Sequence, residues 1–313
     1  MRAITVASAD SLPASTDFPD PEPRPDHETL ELVGAGLHQV VRALATGGHY
    51  GSDHAYPLVP GIDAVARTSG GQLVYAGGTR APWGTMAQRL APAFTLDLPT
   101  GADPLVVAAG MNPGMSGWIP LTGHRNERGA LGTVLVLGAT GMAGTMAAQA
   151  ALALGAQRVI GAGRDEGSLE SLGAAGVETV DLADPAALEQ ALAAGVPDLV
   201  LDYVWGPVAE TAFAALGRRG LGEDSADISY VQIGSLAGAE ASVPASLLRS
   251  RRLRLSGSGS GTFSMERLRT ELPRLLELLA DGSLRAPYTA YPFRRIDEAW
   301  AHTGRSRAVV VPD

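Results

Sequence analysis

The stretch "TVLVLGATGMAG", from Thr133 to Gly144, restricts the possible folds more than any other segment. Thr133 to Leu137 are β-branched or aliphatic and read as a strand. Glycines interrupt them, and small helix formers resume near Met142. A strand that turns so tightly into a helix leaves the first helical N–H groups without internal partners, and that end attracts anions. The spacing is Ala139-x-Gly141-x-x-Gly144 with Gly138 in front, a variant of the glycine fingerprint of dinucleotide sites. In that pattern Gly141 admits a diphosphate close to the backbone, and Gly144 lets the helix lie against the strand. Ala139, Thr140, Gly141, Met142, Ala143 and Gly144 are therefore the candidate cofactor-binding turn.

Beyond the turn the pattern continues. "RVIGAGR" (Arg158 to Arg164), "ETVDL" and "DLVLDYV" are further strands, separated by Ala- and Leu-rich helical stretches. Unbroken aliphatic strands alternating with helices indicate a parallel sheet buried on both faces. "SYVQIGS" (Ser229 to Ser235) and "RLRLSGS" (Arg252 to Ser258) complete a doubly wound set of six. This α/β domain is expected over residues 105–262. Before it lie short strands, including "TLELVGAG" and "GQLVYAGG", which read as irregular and antiparallel. After it come a helix over Met265 to Ala280, a strand near "APYTAYPF", a helix at "IDEAWAH" and a last strand "RAVVVP", a piece expected to rejoin the first domain. Two domains suit a chain of 313 residues.

Charge and composition narrow the partners. The net charge is −9 and no basic cluster persists, which disfavours nucleic acid and anionic membranes. Cysteine is absent, so disulfides, thiolate zinc and cysteine nucleophiles are excluded. The amino terminus has no apolar signal region, and no apolar run approaches the roughly 18 residues of a membrane span. A cytoplasmic protein acting on a small molecule is the expectation.

Several segments, taken in order, carry a family resemblance. They are "AGLHQVVRALATGGHY", "PLVPGIDAVAR", "GTMAQRL", "MNPGMSGW", the glycine turn, "VLDYVWG", "YVQIGSLAG" and "YPFRRIDEAWAH". With these the chain resembles the zinc-free quinone oxidoreductase-like reductases of the medium-chain dehydrogenase/reductase superfamily, over essentially its whole length. The resemblance implies a GroES-like irregular β substrate domain over 1–104 and 263–313, and a Rossmann dinucleotide-binding domain over 105–262. It also implies a homodimer paired through the sixth strand of the nucleotide domain, and cofactor contacts at Gly234 and Ser235.

Zinc-dependent relatives place ligands at positions that here resemble His38, Ile62 and Asn112. Isoleucine cannot bind a metal, so no metal is expected. A rival metal site at His49, Asp53 and His54 fits neither a helical nor a strand face. At the end of the second strand, an acid would accept from both ribose hydroxyls of NAD. Gly163 and Arg164 stand there instead, leaving room for a 2′-phosphate and supplying a guanidinium to grip it, which favours NADPH. The alternative is that Arg164 merely solvates the next helix, with Asp165 neutralising it.

Hydride chemistry without zinc suits acceptors that need little Lewis-acid help, namely quinones and α,β-unsaturated carbonyls. The resemblance places His38, Tyr50 and Ser116 near the reacting centre, with Asn112 one turn before Ser116 and counted among the cofactor contacts. His49 competes with Tyr50 for its position, and water competes with both as proton donor. Each has a structural alternative: His38 hydrogen-bonded in a core, Tyr50 as packing, Ser116 as a helix cap. The functional alternatives are a zinc-free alcohol dehydrogenase or ketoreductase, and a catalytically weak NADPH-binding sensor.

Overall fold

The computed structural model describes residues 1–25, 28–53, 55–184 and 186–313. The first elements are β1 (Arg2–Thr5), β2 (Ala14–Asp17), β3 (Leu30–Gly36), α1 (Gln39–Ala45), β4 (Asp63–Arg67), β5 (Leu73–Gly77), β6 (Arg89–Leu90) and β7 (Phe94–Asp97). After α2 (Pro104–Arg128) come β8 (Thr133–Leu137), α3 (Met142–Ala153), β9 (Arg158–Gly163), α4 (Glu166–Ala174), β10 (Glu178–Asp181), α5 (Ala187–Ala193), β11 (Leu199–Asp202) and α6 (Gly206–Leu216). The chain continues through β12 (Asp227–Gln232), α7 (Ala245–Ser250), β13 (Arg252–Gly257), α8 (Met265–Ala280), β14 (Tyr288–Pro292), α9 (Ile296–Ala301) and β15 (Arg307–Val311). Among the described residues no helix is long and apolar enough to cross a membrane.

Two compact units divide the chain, one of Met1–Asn112 with Pro273–Asp313 and the other of Pro113–Leu272. The changeovers fall inside α2 and α8, at Pro113 and Pro273 within these continuous helices. Proline removes one backbone donor and loosens the helix locally.

The first unit holds a sheet in the order β14-β15-β3-β4-β5-β7, with β6 on β3. Its pairings are antiparallel except for β14 with β15. β3 carries an irregularity between Leu32 and Gly34. Ile4, Leu30, Leu37, Met86, Leu90 and Phe293 form the heart of its core.

The second unit is the doubly wound domain. Its six parallel strands run β10-β9-β8-β11-β12-β13, so the direction of winding reverses between β8 and β11. β8, β9 and β11 are buried along nearly their whole length, as strands covered on both faces must be, whereas β13 is an exposed edge. Leu135, Ile160, Val200, Phe213 and Tyr230 lie at the centre of its core. β12 ends at Gln232, earlier than the apolar run suggests. The N–H of Ile233 makes the last rung of the ladder, donating to the carbonyl of Asp202 at 2.7 Å, and the N–H of Gly234 turns back to the same oxygen at 3.1 Å.

Candidate active site

In the second unit the glycine turn sits at the carboxyl ends of the strands, beside the reversal point where open α/β sheets bind ligands. Gly138 has φ +86, a left-handed conformation that favours glycine. The N–H groups of Gly138 and Ala139 both donate to Ala162 O at 2.9 Å, which ties the turn to β9. A Cβ on Gly144 would overlap the carbonyl oxygen of Gly138, so only glycine lets α3 begin so close to the strand. Gly141 is the extended residue before α3, and no side chain caps the helix. It is exposed, and a Cβ there would meet nothing nearer than 3.5 Å. Open space beside uncapped N–H groups fits the diphosphate of a dinucleotide. Thr140 is half-buried, as are Met142 and Ala143.

Gly163 is the last residue of β9, and Arg164 follows it, exposed. A Cβ on Gly163 would overlap the Thr140 side chain, so the position is small because of its neighbour in the turn. Asp165 caps α4, its carboxylate accepting from Ser168 N at 2.8 Å.

The end of β11 and the loop after it contain residues that the sequence patterns do not single out. Asp202 is fully buried and accepts at both oxygens. Val204 N and Trp205 N donate to Oδ1 at 2.8 and 2.9 Å, and the Tyr230 hydroxyl donates to Oδ2 at 2.6 Å. Burial, then the Asp202 charge, pushes the Tyr230 hydroxyl far above its ordinary range, so it stays a donor. This anchoring offsets the strain at Trp205, whose φ of +56 is costly for a bulky residue. Next to Asp202, Tyr203 is only 7% exposed and its hydroxyl lies 3.1 Å from Ser116 Oγ. Ser116 is partly exposed and sits within α2, well inside the helix rather than at a cap. Asn112, half-buried, lies one turn earlier on the same helix. Ser235 is exposed after β12, and Gln232 donates to the Gly234 carbonyl at 2.9 Å.

In the first unit, His38 is the N-cap residue of α1, but its side chain makes no capping hydrogen bond. The residue is 2% exposed and its Nε2 stands 3.2 Å from Asp63 Oδ1. The alignment falls outside hydrogen-bond geometry, so both ring nitrogens and that oxygen lack a hydrogen bond. The other oxygen of Asp63 accepts from the Tyr75 hydroxyl at 2.7 Å. Burial lowers the His38 pKa, Asp63 opposes that, and Arg307 and Arg42 add to it, which keeps the ring neutral near pH 7. Arg307 itself is brought down to about 10 by burial, with Arg42 reinforcing and Asp63 opposing.

Tyr50 is 80% exposed and packs against His49, with ring centroids 4.1 Å apart. His49 Nδ1 accepts from Gly51 N at 3.0 Å, and burial lowers its pKa. His54 lies outside the described residues. Among the described residues no three His, Asp or Glu side chains gather around a possible metal position. A cavity of about 330 Å³ opens within this unit, lined by Leu44, Ser52, Asp53, Leu58, Ile62 and Trp83 among others. Its wall mixes apolar side chains with Ser52, Asp53 and Thr79, and its size admits a small molecule. An acid at the end of an aliphatic strand, as in "LVLD", or after a glycine, as in "GID", was the available signal for Asp202 and Asp63. A carboxylate placed in a core needs partners.

Comparison with known proteins agrees with this architecture. Residues 134–210, which contain the glycine turn, match the family model described as NAD dependent epimerase/dehydratase family. A probable NADPH-dependent quinone reductase of Emericella nidulans is 30% identical, with 99% of each chain covered. The quinone oxidoreductase from Thermus thermophilus, solved also in complex with NADPH, superposes with a TM-score of 0.81 at 27% identity, covering 99% of this chain and all of that one. A putative alcohol dehydrogenase from Sinorhizobium meliloti 1021 shares the fold, with a TM-score of 0.81 at 20% identity, over all of this chain and 97% of its own. The fold, the glycine turn and the full-length relative together place this chain in the medium-chain dehydrogenase/reductase superfamily, among its quinone oxidoreductase-like reductases.

Proposed function

We propose that the protein is a zinc-independent, NADPH-dependent oxidoreductase that reduces a quinone or an α,β-unsaturated carbonyl. The observation that carries this reading is the open glycine turn at the head of α3 with Arg164 exposed at the end of the neighbouring strand. Bound NADPH supplies hydride from C4 of its nicotinamide. The turn from Ala139 to Gly144 would hold the diphosphate, and Arg164 would grip the 2′-phosphate as a charge-assisted pair. Gly234 and Ser235 are assigned to the cofactor as well, with Asn112 and Ser116 on the nicotinamide side. Charge arriving on the substrate oxygen would be met by a hydrogen bond from His38, His49, Tyr50 or water.

Two features support zinc independence: Ile62 stands where a histidine ligand would be needed, and the chain has no cysteine. The domain assignment of 1–104 with 263–313 to substrate and 105–262 to cofactor belongs to the same reading, as do a cytoplasmic location and a homodimer. The test is NADPH oxidation across a panel of quinones, enals, enones and simple ketones, before and after exhaustive chelation. Turnover of quinones or enones that survives chelation is the expected result. Turnover confined to simple ketones would make the protein a ketoreductase, and stoichiometric zinc whose removal abolishes activity would overturn the metal-free mechanism. Tight NADPH binding without turnover of any acceptor would favour a sensor.

A further inference from the structure

We infer that Tyr203 holds the Ser116 hydroxyl as a hydrogen-bond acceptor, so that Ser116 anchors the N–H of the coenzyme's carboxamide instead of donating a proton to substrate oxygen. The inference rests on the proposed placement of Ser116 beside the nicotinamide and adds the direction of its hydrogen bonds.

The direction comes from counting hydrogens. Ser116 Oγ lies 2.6 Å from the carbonyl oxygen of Pro113, which can only accept. The single hydrogen of Ser116 is therefore committed to the helix backbone. Tyr203 Oη stands 3.1 Å from the same Oγ, and with the serine hydrogen spent, the phenol must be the donor. A relay runs from Tyr203 through Ser116 to Pro113. Ser116 keeps one lone pair and no hydrogen for a ligand. Pro120, four residues on, has no N–H to offer the Ser116 carbonyl, so residue 116 also lacks its helical donor there.

The fold makes the relay possible at Gly117. A Cβ at that position would stand 2.9 Å from the Tyr203 hydroxyl and 2.6 Å from Ala147 Cβ, so any side chain would close the corridor. Tyr203 is fixed at its base, where its N–H donates to Leu137 O at 3.1 Å and the adjoining Asp202 organises the loop. Burial raises the Tyr203 pKa well above its ordinary value, while Ser116 opposes that as a hydrogen-bond partner. The phenol thus remains protonated throughout the working pH range. Because Tyr203 is buried and Ser116 partly exposed, a ligand reaches only the serine, and Tyr203 is a positioning residue.

A coenzyme analogue separates donor from acceptor. The reduced 3-acetylpyridine analogue of NADPH keeps the ring carbonyl but has lost both amide N–H groups. Calorimetric Kd values would be measured for both coenzymes with wild type, Ser116→Ala, Tyr203→Phe and the double variant. Ser116→Ala should weaken NADPH by about three- to tenfold, the range of one hydrogen bond, and leave the analogue nearly unchanged. Tyr203→Phe should weaken NADPH less, and should add nothing once Ser116 is alanine, because it acts through that hydroxyl. Equal loss for both coenzymes in Ser116→Ala would show that the serine donates to the carbonyl, overturning the inference while the proposed function stands. No change for either would remove Ser116 from the nicotinamide, and the inference with it. Additive effects in the double variant would overturn the role of Tyr203. Failure of wild type to bind NADPH would instead defeat the functional reading itself. Ser116 is partly exposed, so its alanine variant carries the donor-acceptor test alone if Tyr203→Phe does not fold.

Discussion

Replacing Arg164 by aspartate should invert the coenzyme preference. The acid that selects NAD in doubly wound folds stands at the end of the second strand, which here is Gly163. A side chain at 163 would collide with Thr140, so a substitution there would report on the clash and not on the ribose. Arg164, the next residue, is exposed and can be exchanged without disturbing the turn. A charge-assisted hydrogen bond contributes about 1.5–3 kcal/mol, and solvent exposure argues for discounting it to about 1–2 kcal/mol. That corresponds to roughly five- to thirtyfold in NADPH affinity. Aspartate adds repulsion toward the 2′-phosphate and offers an acceptor to a ribose hydroxyl, so NADH should be spared or helped. Raising the salt should narrow the preference of the wild type, since the pair is near the surface. Fluorescence titration of both coenzymes against both proteins measures each of these effects. A common factor of weakening for NADPH and NADH would reduce Arg164 to a structural role and remove the main support for NADPH.

Other perturbations probe the scaffold. Asp202→Ala strands the buried Tyr230 hydroxyl, removes the anchors of Val204 N and Trp205 N and leaves the strained Trp205 unsupported, so urea unfolding should show a loss of about 3–5 kcal/mol; a loss below about 1 kcal/mol would mean that the loop is held by packing alone. His38 is depressed by burial from its ordinary 6.5, so its contribution is full above that pH and is lost as pH falls through the folded value. His38→Gln should therefore flatten the decline in stability between neutral and acidic pH, and parallel slopes for both proteins would refute the assignment. The exposed edge β13 should pair with its copy across a two-fold axis, extending the sheet and covering an edge that would otherwise be free to aggregate; a monomer mass by light scattering at micromolar concentration would contradict this.

The parallel sheet was legible because its information is contiguous. Each strand is a short unbroken aliphatic run, each helix a neighbouring stretch of good formers, and the glycine turn declares itself in six residues. The strand that fell short shows the limit of this. β12 stops at Gln232 because its neighbour β11 ends at Asp202, whose carbonyl takes the last rung from Ile233 and also holds the Gly234 N–H, and no local pattern records where a partner strand ends. Tyr50 illustrates the same point among the candidate site residues: as an aromatic next to Gly51 it could pack or face outward, and the fold left it in solvent.

Sequence by itself determined the doubly wound domain, the acidic net charge, the impossibility of thiolate chemistry and the residues of the glycine turn. Each of these depends on residue types or on spacings shorter than one strand–turn–helix unit. Tertiary structure alone decided which polar groups meet. Asp63 accepts from Tyr75 and stands beside His38, Asp202 is closed by Tyr230, and Ser116 finds Tyr203 across 87 positions of the chain. A buried donor or acceptor must be satisfied somewhere, but the chain's own order does not say where. That partner is fixed only when the sheet order brings distant strands side by side and the small residues at Gly117 and Ala147 let one side chain through.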